Sequence, residues 1–125
     1  NEKLQVWGDG SSIRDFIHAR DVAKGMLHMV ENRITEPVNL GSGEEITIRR
    51  IAEAVASEAG VGIEWDTSKP TGDPRRVFDM TRAKKHGFTP TISIEEGIRE
   101  TIGWYLSNKE LADAGKDVFK LLGKT

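Results

Sequence analysis

The sequence contains 125 residues, enough for one small domain with a buried core but too few for a cofactor domain and a substrate domain together. Hydrophobic residues make up 37% of the chain and charged residues 30%, proportions typical of a globular protein. The formal net charge of -2 gives no overall attraction to nucleic acid or to an anionic membrane, so any anion must be bound locally. We therefore expect one domain over residues 1–125 that binds neither nucleic acid nor membrane.

The absence of cysteine, the spacing of the histidines and the lack of long apolar runs exclude several kinds of site and segment. The chain has no cysteine, which excludes disulfides, thiolate metal sites and cysteine nucleophiles. The histidines, His18, His28 and His86, lie far apart in the sequence and predict no metal site. No apolar run approaches the roughly 20 residues that span a bilayer, and no signal pattern opens the chain. We expect a cytoplasmic protein and, because the chain opens on Asn1 rather than on methionine, a part of a longer one.

Short strands and one helix are predicted for the first part of the chain. Apolar and β-branched residues predict strands over residues 4–7 and 13–18, separated by a turn rich in glycine and serine. Apolar residues at helical spacing predict an amphipathic helix over residues 21–31. The apolar residues are Val22, Met26, Met29 and Val30. A further strand is predicted over residues 36–41.

A helix, a strand and a loop are predicted, in that order, for the middle of the chain. Thr47 is predicted to cap a helix that begins at Ile48, and Gly60 is predicted to end it. Residues 61–66 alternate in the manner of a strand. Prolines and a glycine exclude both a helix and a central strand from residues 67–79, which we expect to form a basic loop.

Two more helices and a tail are predicted for the last part of the chain. A short helix is expected over residues 79–86, and a Ser93 capping box opens a longer helix over residues 93–106. The tail over residues 109–125 is expected to be loosely held apart from a last helix over residues 117–122. The predicted fold is thus mixed α/β, with short strands and about four helices.

The loop over residues 69–76 is the most basic segment of the sequence. It contains Lys69, Arg75 and Arg76 among two prolines and a glycine. Arginine offers a planar fork of donors and lysine a compact charge, so such a loop suits phosphate groups. A solvated cluster of charges, or pairing with internal carboxylates, explains the same composition.

Two earlier residues are candidates for binding the same kind of ligand. Arg14 lies among apolar residues and needs an anionic partner, which is either a ligand or an internal carboxylate such as Asp15 or Asp21. Trp7 either stacks on a base or sugar or belongs to the core. The residues alone leave both alternatives open.

Two short motifs match enzyme signatures by residue type only. Tyr105 and Lys109 have the Tyr-x-x-x-Lys spacing of short-chain dehydrogenases, but they lie at the end of a helix with no catalytic Ser or Thr in a preceding strand. Residues 41–43 (GSG) resemble the start of a dinucleotide-binding turn, but the third glycine is missing and two glutamates follow. We predict neither a catalytic nor a cofactor-binding role for these residues.

Six segments, taken in chain order, resemble the later part of the extended short-chain dehydrogenases/reductases, the NAD-dependent epimerase/dehydratase family that acts on nucleotide sugars. The segments are VWGDG (6–10), IRDFIH (13–18), DVA (21–23), PVNLGSG (37–43), TIR (47–49) and KPTGDPRR (69–76). Their combined order and spacing are specific, although no single segment is. The resemblance covers about residues 4–108 and is greatest to family members that act on GDP-sugars.

The resemblance implies a substrate-binding role for four residues. In the family, the residues that match Arg14 and Lys69 contact the diphosphate of the nucleotide sugar, and the residue that matches Trp7 lies in the substrate pocket. Arg75 is a further candidate contact. Two cations from separate segments could hold a diphosphate from two sides and orient the sugar. We therefore expect the chain to bind a nucleotide-diphosphate sugar.

The resemblance also implies what the chain lacks. The N-terminal Rossmann domain of the family, with its NAD(P) site and its catalytic Ser/Thr, Tyr and Lys, has no counterpart in the sequence. We expect this chain alone to bind no cofactor and to catalyse no hydride transfer. In the family, a strand that matches Val38, Asn39 and Leu40 joins the sheet of that domain, so we expect it to pair with a second copy or to repack. The alternative function is a stand-alone module that binds a nucleotide sugar or another phosphorylated ligand.

Overall fold

The computed structural model describes residues 2–115, which form a mixed α/β fold of short strands and helices. In chain order the elements are β1 (Lys3–Trp7), β2 (Ile13–Arg14), α1 (Ala19–Glu31), β3 (Ile46–Thr47), α2 (Ile48–Ala59), β4 (Gly62–Asp66), β5 (Arg75–Arg76), α3 (Thr81–Lys85), α4 (Ile94–Ser107) and α5 (Lys109–Gly115). The predicted fold class is confirmed, with α5 as a helix that the sequence did not predict. The predicted helix over residues 117–122 lies outside the described residues.

The strands form two small sheets. In one, β1 pairs with β4 in parallel, and Val6 lies opposite Trp65. A parallel pair needs a long crossover connection, which here includes α2, and α2 packs on both strands. In the other sheet the order is β3-β2-β5, antiparallel between β2 and β3 and parallel between β2 and β5.

The capping residues begin α2 and α4 where the sequence predicts them. The Thr47 hydroxyl accepts a hydrogen bond from the backbone N–H of Arg50 (3.2 Å), and the Ser93 hydroxyl accepts one from the backbone N–H of Glu96 (3.2 Å). Helix α2 ends at Gly60, whose φ of 68° suits glycine. The two helices pack against each other beside the β1–β4 sheet.

A buried apolar cluster lies between α1, α3 and the chain around residue 40. The cluster contains Met80, Ala83 and Phe88, with Ile17, Met29, Val38 and Leu40 packed against it. Gly25 brings α1 close to this cluster, because a Cβ atom at Gly25 would lie 2.9 Å from Leu40 Cδ2 and 2.9 Å from Phe88 Cε2. The contact surface of α1 is therefore centred on Gly25.

The buried side chain of Asp21 joins α1 to the segment before α4. Its carboxylate accepts hydrogen bonds from the backbone N–H groups of Thr91 (2.9 Å) and Ile92 (2.8 Å), and from the Thr91 hydroxyl (3.0 Å). Burial acts to raise the pKa of Asp21, but the hydrogen bonds from Ile92 and Thr91 outweigh it, so the pKa lies below its ordinary value.

Two strand predictions were wrong. The strand expected over residues 13–18 contains only Ile13 and Arg14, because β3 and β5 each offer two residues for pairing. The strand expected over residues 36–41 is absent. Within residues 2–115 no strand lies beside this segment, and its apolar residues Val38 and Leu40 pack on the buried cluster instead. Conversely, the two-residue strand β5 lies inside the predicted loop.

Fewer apolar residues of α1 are buried than the sequence predicts. Val22 and Met29 are half-buried, but Met26 is 60% and Val30 76% exposed, so only part of the predicted apolar face meets the core. The reason is the close approach at Gly25, which turns the other apolar side chains towards solvent. Within residues 2–115, no helix is long and apolar enough to cross a membrane.

Helices α3 and α5 complete the described chain. Helix α3 is shorter than the predicted helix over residues 79–86, and its N-cap is Met80, which makes no side-chain capping hydrogen bond. Asp79 Oδ1 accepts a hydrogen bond from the backbone N–H of Thr81 (2.9 Å) just before the helix. Helix α5 lies within the predicted tail and packs against α4. That the tail over residues 109–125 is loosely held stays a prediction.

Candidate functional site

The basic loop between β4 and β5 folds back on the N-terminal segment. The Ser12 hydroxyl donates a hydrogen bond to the carbonyl oxygen of Thr71 (2.7 Å), and the backbone N–H of Ile13 donates one to the carbonyl oxygen of Pro74 (2.9 Å). Gly8, with a φ of 81°, lies so close to Thr71 that a Cβ atom at Gly8 would be 3.1 Å from Thr71 Cα. These contacts bring the loop against β1 and β2, although 59 residues separate Ser12 from Thr71.

Trp7 and Lys69 meet at the end of β1. Side chains alternate along a strand, and β1 has Leu4 and Val6 half-buried on one face, which leaves Trp7 on the other. Trp7 is 66% exposed and does not belong to the core. The Lys69 Nζ atom lies 5.7 Å from the centre of the Trp7 ring, within the range of a cation–π contact.

Arg14 is half-buried beside the same loop, and its partners are carbonyl groups. Its Nη1 atom donates to the carbonyl oxygens of Ile13 (2.8 Å) and Asp73 (2.8 Å). The two carboxylates considered as its partners bind backbone N–H groups elsewhere, Asp15 at residues 42–43 and Asp21 at residues 91–92. Within residues 2–115, Arg14 therefore has no carboxylate partner.

Arg75 is bound to Glu45. Its Nε atom donates to Glu45 Oε1 (3.0 Å), and its Nη2 atom contacts the same oxygen. This hydrogen-bonded ion pair lowers the pKa of the Glu45 carboxyl and raises that of the Arg75 guanidinium. The expected role of Arg75 as a substrate contact stays a prediction.

Arg76 is a basic residue at this site that the candidate set did not include. It lies opposite Arg14 in the parallel pair of β5 and β2. Both arginines line a cavity of about 570 Å³ whose apolar residues include Phe16 and Phe78. The basic sequence run at residues 75–76 was a visible signal, but the register of β5 with β2 depends on the folded loop and could not be predicted.

The glycine-rich turn at residues 41–43 binds an internal carboxylate. The backbone N–H of Ser42 donates to Asp15 Oδ1 (2.6 Å), its hydroxyl donates to the same oxygen (2.8 Å), and the backbone N–H of Gly43 donates to Asp15 Oδ2 (3.3 Å). Gly41 is needed because a Cβ atom there would lie 2.6 Å from Asp15 Oδ2. The turn thus stabilises the segment after β2.

The histidines and Tyr105 have structural contacts. His18 caps α1, with its Nδ1 atom accepting from the backbone N–H of Arg20 (3.1 Å). His28 Nε2 lies 2.6 Å from the carbonyl oxygen of His86, and His86 Nε2 lies 2.6 Å from a Glu36 oxygen. The Tyr105 hydroxyl donates to Asp113 (3.3 Å). Among the described residues, no cluster of acidic and histidine side chains could hold a metal ion.

The chain belongs to a family of nucleotide-sugar enzymes. Residues 1–101 match the family model described as GDP-mannose 4,6 dehydratase, which places the chain in that family. The family membership expected from the sequence is thereby confirmed, and solved structures with the same fold include a 4,6-dehydratase and a UDP-N-acetylglucosamine 4-epimerase.

Curated relatives include enzymes named GDP-L-fucose synthase. GDP-L-fucose synthase 1 of Arabidopsis thaliana is 39% identical over 110 residues, which cover 86% of this chain and 34% of the relative. GDP-L-fucose synthase of Escherichia coli (strain K12) is 35% identical over 117 residues, which cover 84% of this chain and 36% of the relative. The chain thus spans about a third of the length of these relatives, and the predicted likeness to GDP-sugar enzymes is confirmed.

Solved structures resemble the chain over most of its length. A GDP-L-fucose synthetase from Naegleria fowleri, bound to NADP, matches with a TM-score of 0.76 and 25% identity over 85% of this chain and 35% of that one. A dTDP-glucose 4,6-dehydratase from Bacillus anthracis, in complex with NAD, matches with a TM-score of 0.74 and 26% identity over 87% of this chain and 36% of that one. The full-length relatives therefore include proteins that bind NAD or NADP.

Proposed function

We propose that this chain is the nucleotide-sugar-binding portion of an NAD(P)-dependent epimerase/reductase similar to GDP-L-fucose synthase, and that its ligand is a GDP-sugar. The observations that support this most are the contact of Lys69 with Trp7 and the hydrogen bond of Arg14 to the carbonyl oxygen of Asp73, because both are made by the same folded-back loop. An exposed aromatic ring, a guanidinium and an ammonium around one loop suit a ligand in which a sugar or base ring adjoins a diphosphate.

Arg14 is well suited to hold the diphosphate. An arginine has five N–H donors, and within the described residues Arg14 uses only those on Nη1. The donors on Nη2 and Nε remain for phosphate oxygens, while the carbonyl groups of Ile13 and Asp73 hold the guanidinium plane. Lys69 adds a second cation, and Trp7 offers a flat apolar surface to a ring. Binding energy at the diphosphate would then orient the reacting sugar carbon.

We propose that catalysis belongs to the part of the full-length enzyme that this chain does not span. The curated relatives are about three times as long as the matched segment. The NAD(P) site and the catalytic Ser/Thr, Tyr and Lys of the family are proposed to lie there, and the cofactor would accept or donate the hydride. In this division, the residues of the chain bind and orient the substrate without catalysing the reaction alone.

The exposed apolar face of α1 is the proposed contact surface for that missing Rossmann domain. Met26, Leu27 and Val30 are 60%, 63% and 76% exposed and lie within five residues of one another on one helix. Adjacent exposed apolar residues mark interaction surfaces more often than chance placement does. Of the two alternatives expected for Val38, Asn39 and Leu40, repacking is better supported than pairing with a second copy, because Val38 and Leu40 pack on the core.

A stand-alone binding module without catalysis is the alternative function. The coding sequence upstream of Asn1 distinguishes the two, because a glycine-rich dinucleotide turn and a Tyr-x-x-x-Lys helix there would establish the enzyme. A methionine codon at this position would favour the module. The cytoplasmic location stays a prediction under both alternatives.

The proposed function is tested by a thermal-shift panel of GDP-, UDP- and dTDP-sugars on the chain. A ligand that binds only the folded state at a hundredfold excess over its Kd stabilises it by about 2.7 kcal/mol, so we expect the GDP-sugar to raise the Tm most. Arg14→Ala should weaken binding roughly 10- to 150-fold, since a hydrogen bond to a charged group contributes about 1.5–3 kcal/mol.

The matched control for this panel is Lys84→Ala, which removes an exposed cation on α3, outside the site. Its affinity for the GDP-sugar should equal that of the unchanged chain. An Arg14→Ala variant that binds the GDP-sugar as tightly as the unchanged chain would overturn the proposed role of Arg14. A chain that binds none of the sugars would overturn the proposed function.

A further inference from the structure

We infer that Arg76, rather than Arg75, is the third cation that contacts the phosphate groups, and that Arg75 acts by holding β5 in position. The inference rests on the proposed function, because it adds a residue to the same binding site. It is carried by the strand register, the ion pairs and the cavity around β2.

The strand register places Arg76 beside Arg14. In the parallel pair of β2 and β5, Ile13 lies opposite Arg75 and Arg14 lies opposite Arg76. Residues that lie opposite each other on paired strands have side chains on the same face, and successive residues alternate between faces. Arg76 therefore shares a face with Arg14, whereas Arg75 lies on the other face.

The two arginines that share a face have no acidic partner. The ion pairs formed within residues 2–115 involve neither Arg14 nor Arg76. Like charges that lie opposite each other on paired strands destabilise the pair. A diphosphate bound between the two guanidinium groups would relieve this repulsion and accept hydrogen bonds from both.

The cavity around these arginines favours a bound anion. Arg14 and Arg76 line it together with Phe16, Ile48 and Phe78. Phe78 is 53% exposed, so the cavity is open to a ligand, and its apolar side chains reduce the water around a guanidinium–phosphate contact. Asp15 also lines the cavity, but its two carboxylate oxygens accept hydrogen bonds from residues 42–43.

The Arg75 side chain forms an ion pair with Glu45 that spans the sheet. Glu45 directly precedes β3, Arg75 begins β5, and β2 lies between these two outer strands. The Arg75–Glu45 pair thus joins both edges of the sheet across β2. Both partners are about half exposed, with side-chain exposures of 56% and 52%, so the pair contributes little to stability. Its proposed role is local, which is to favour the position of β5, and with it Arg76, beside Arg14.

The test is calorimetric titration of the chain with inorganic pyrophosphate, GDP and guanosine, the last as a probe without phosphate. Arg76→Ala should weaken pyrophosphate and GDP about tenfold or more and leave guanosine unchanged. Arg75→Ala and Glu45→Gln break the same ion pair, so both should weaken binding less than Arg76→Ala does, and Glu45→Gln least because it also removes a negative charge near the anion. Arg76→Gln, which keeps the length of the side chain without its charge, should behave like Arg76→Ala.

Each contrary outcome has a distinct meaning. If both Arg76 variants bind pyrophosphate like the unchanged chain while Arg14→Ala binds it weakly, this inference fails and the proposed function stands. If Arg75→Ala weakens binding most and Glu45→Gln does not, Arg75 is the phosphate contact and the inference is wrong. If no probe binds the unchanged chain, the inference and the proposed function fall together.

Discussion

Asp21 and Asp15 determine what Arg14 can bind. Both carboxylates are close to Arg14 in sequence, and either could have been its internal partner. In the folded chain, Asp15 accepts from residues 42–43 and Asp21 from residues 91–92. Backbone N–H groups compete well for a buried carboxylate because they would otherwise be unpaired. The donors come from 27 to 71 residues away, so no local pattern could predict this outcome.

We expect a large loss of stability when the charge of the buried Asp21 carboxylate is removed. Asp21→Asn places an amide against N–H donors and should lower the free energy of unfolding by about 3 kcal/mol near neutral pH, since a hydrogen bond to a charged group contributes about 1.5–3 kcal/mol. Chemical denaturation measures this loss. Glu53→Gln, at an exposed position of α2, is the control and should leave stability unchanged.

We expect the stability difference between the unchanged chain and Asp21→Asn to depend on pH. The pKa of Asp21 is lowered in the folded state, so its stabilisation is fully present above the ordinary value of 3.8 and is lost as pH falls through the lower folded-state pKa. The difference in unfolding free energy between the unchanged chain and Asp21→Asn should therefore shrink below pH 3.8. A difference that stays constant or grows under acid would show that the carboxylate charge is not the cause.

At the scale of elements, the helices were more predictable than the strands. The start of α2 and of α4 follows from a local hydroxyl at Thr47 and Ser93 and from apolar residues at helical spacing. The extent of a strand depends on its neighbours, and β2 is short because β3 and β5 are short. The absent strand at residues 36–41 has the same cause, since no strand within residues 2–115 pairs with it.

Two glycine-to-alanine variants can show whether the stability of the chain depends on the close contact between α1 and the core or on helix propensity alone. Gly25→Ala puts a Cβ atom 2.9 Å from Leu40 and Phe88 atoms, and overpacking of this kind costs about 1–3 kcal/mol. Gly103→Ala in α4 has nothing within 4 Å and should instead stabilise the chain by about 0.5–1 kcal/mol. We expect Gly25→Ala to lower the Tm and Gly103→Ala to raise it. A higher Tm for both variants would contradict the close contact between α1 and the core.

The candidate site is assembled from segments that are distant in sequence. Trp7 ends β1, Arg14 ends β2, and Lys69 and Arg76 belong to the loop that folds back on both. The resemblance identified Trp7, Arg14 and Lys69 as a set, while composition and spacing alone left each with an ordinary structural explanation. Arg76 was missed because its place beside Arg14 depends on the strand register.

Binding of a GDP-sugar at Trp7, Arg14 and Lys69 can be observed residue by residue by nuclear magnetic resonance of the isotope-labelled chain during titration with that ligand. The indole N–H groups of Trp7, Trp65 and Trp104 are three separate reporters. Trp7 should shift, together with the amides of residues 13–14 and 69–76, while Trp104, an exposed residue of α4, should not. Shifts at Trp104 without shifts at Trp7 and Arg14, or no shifts at saturating ligand, would contradict the account.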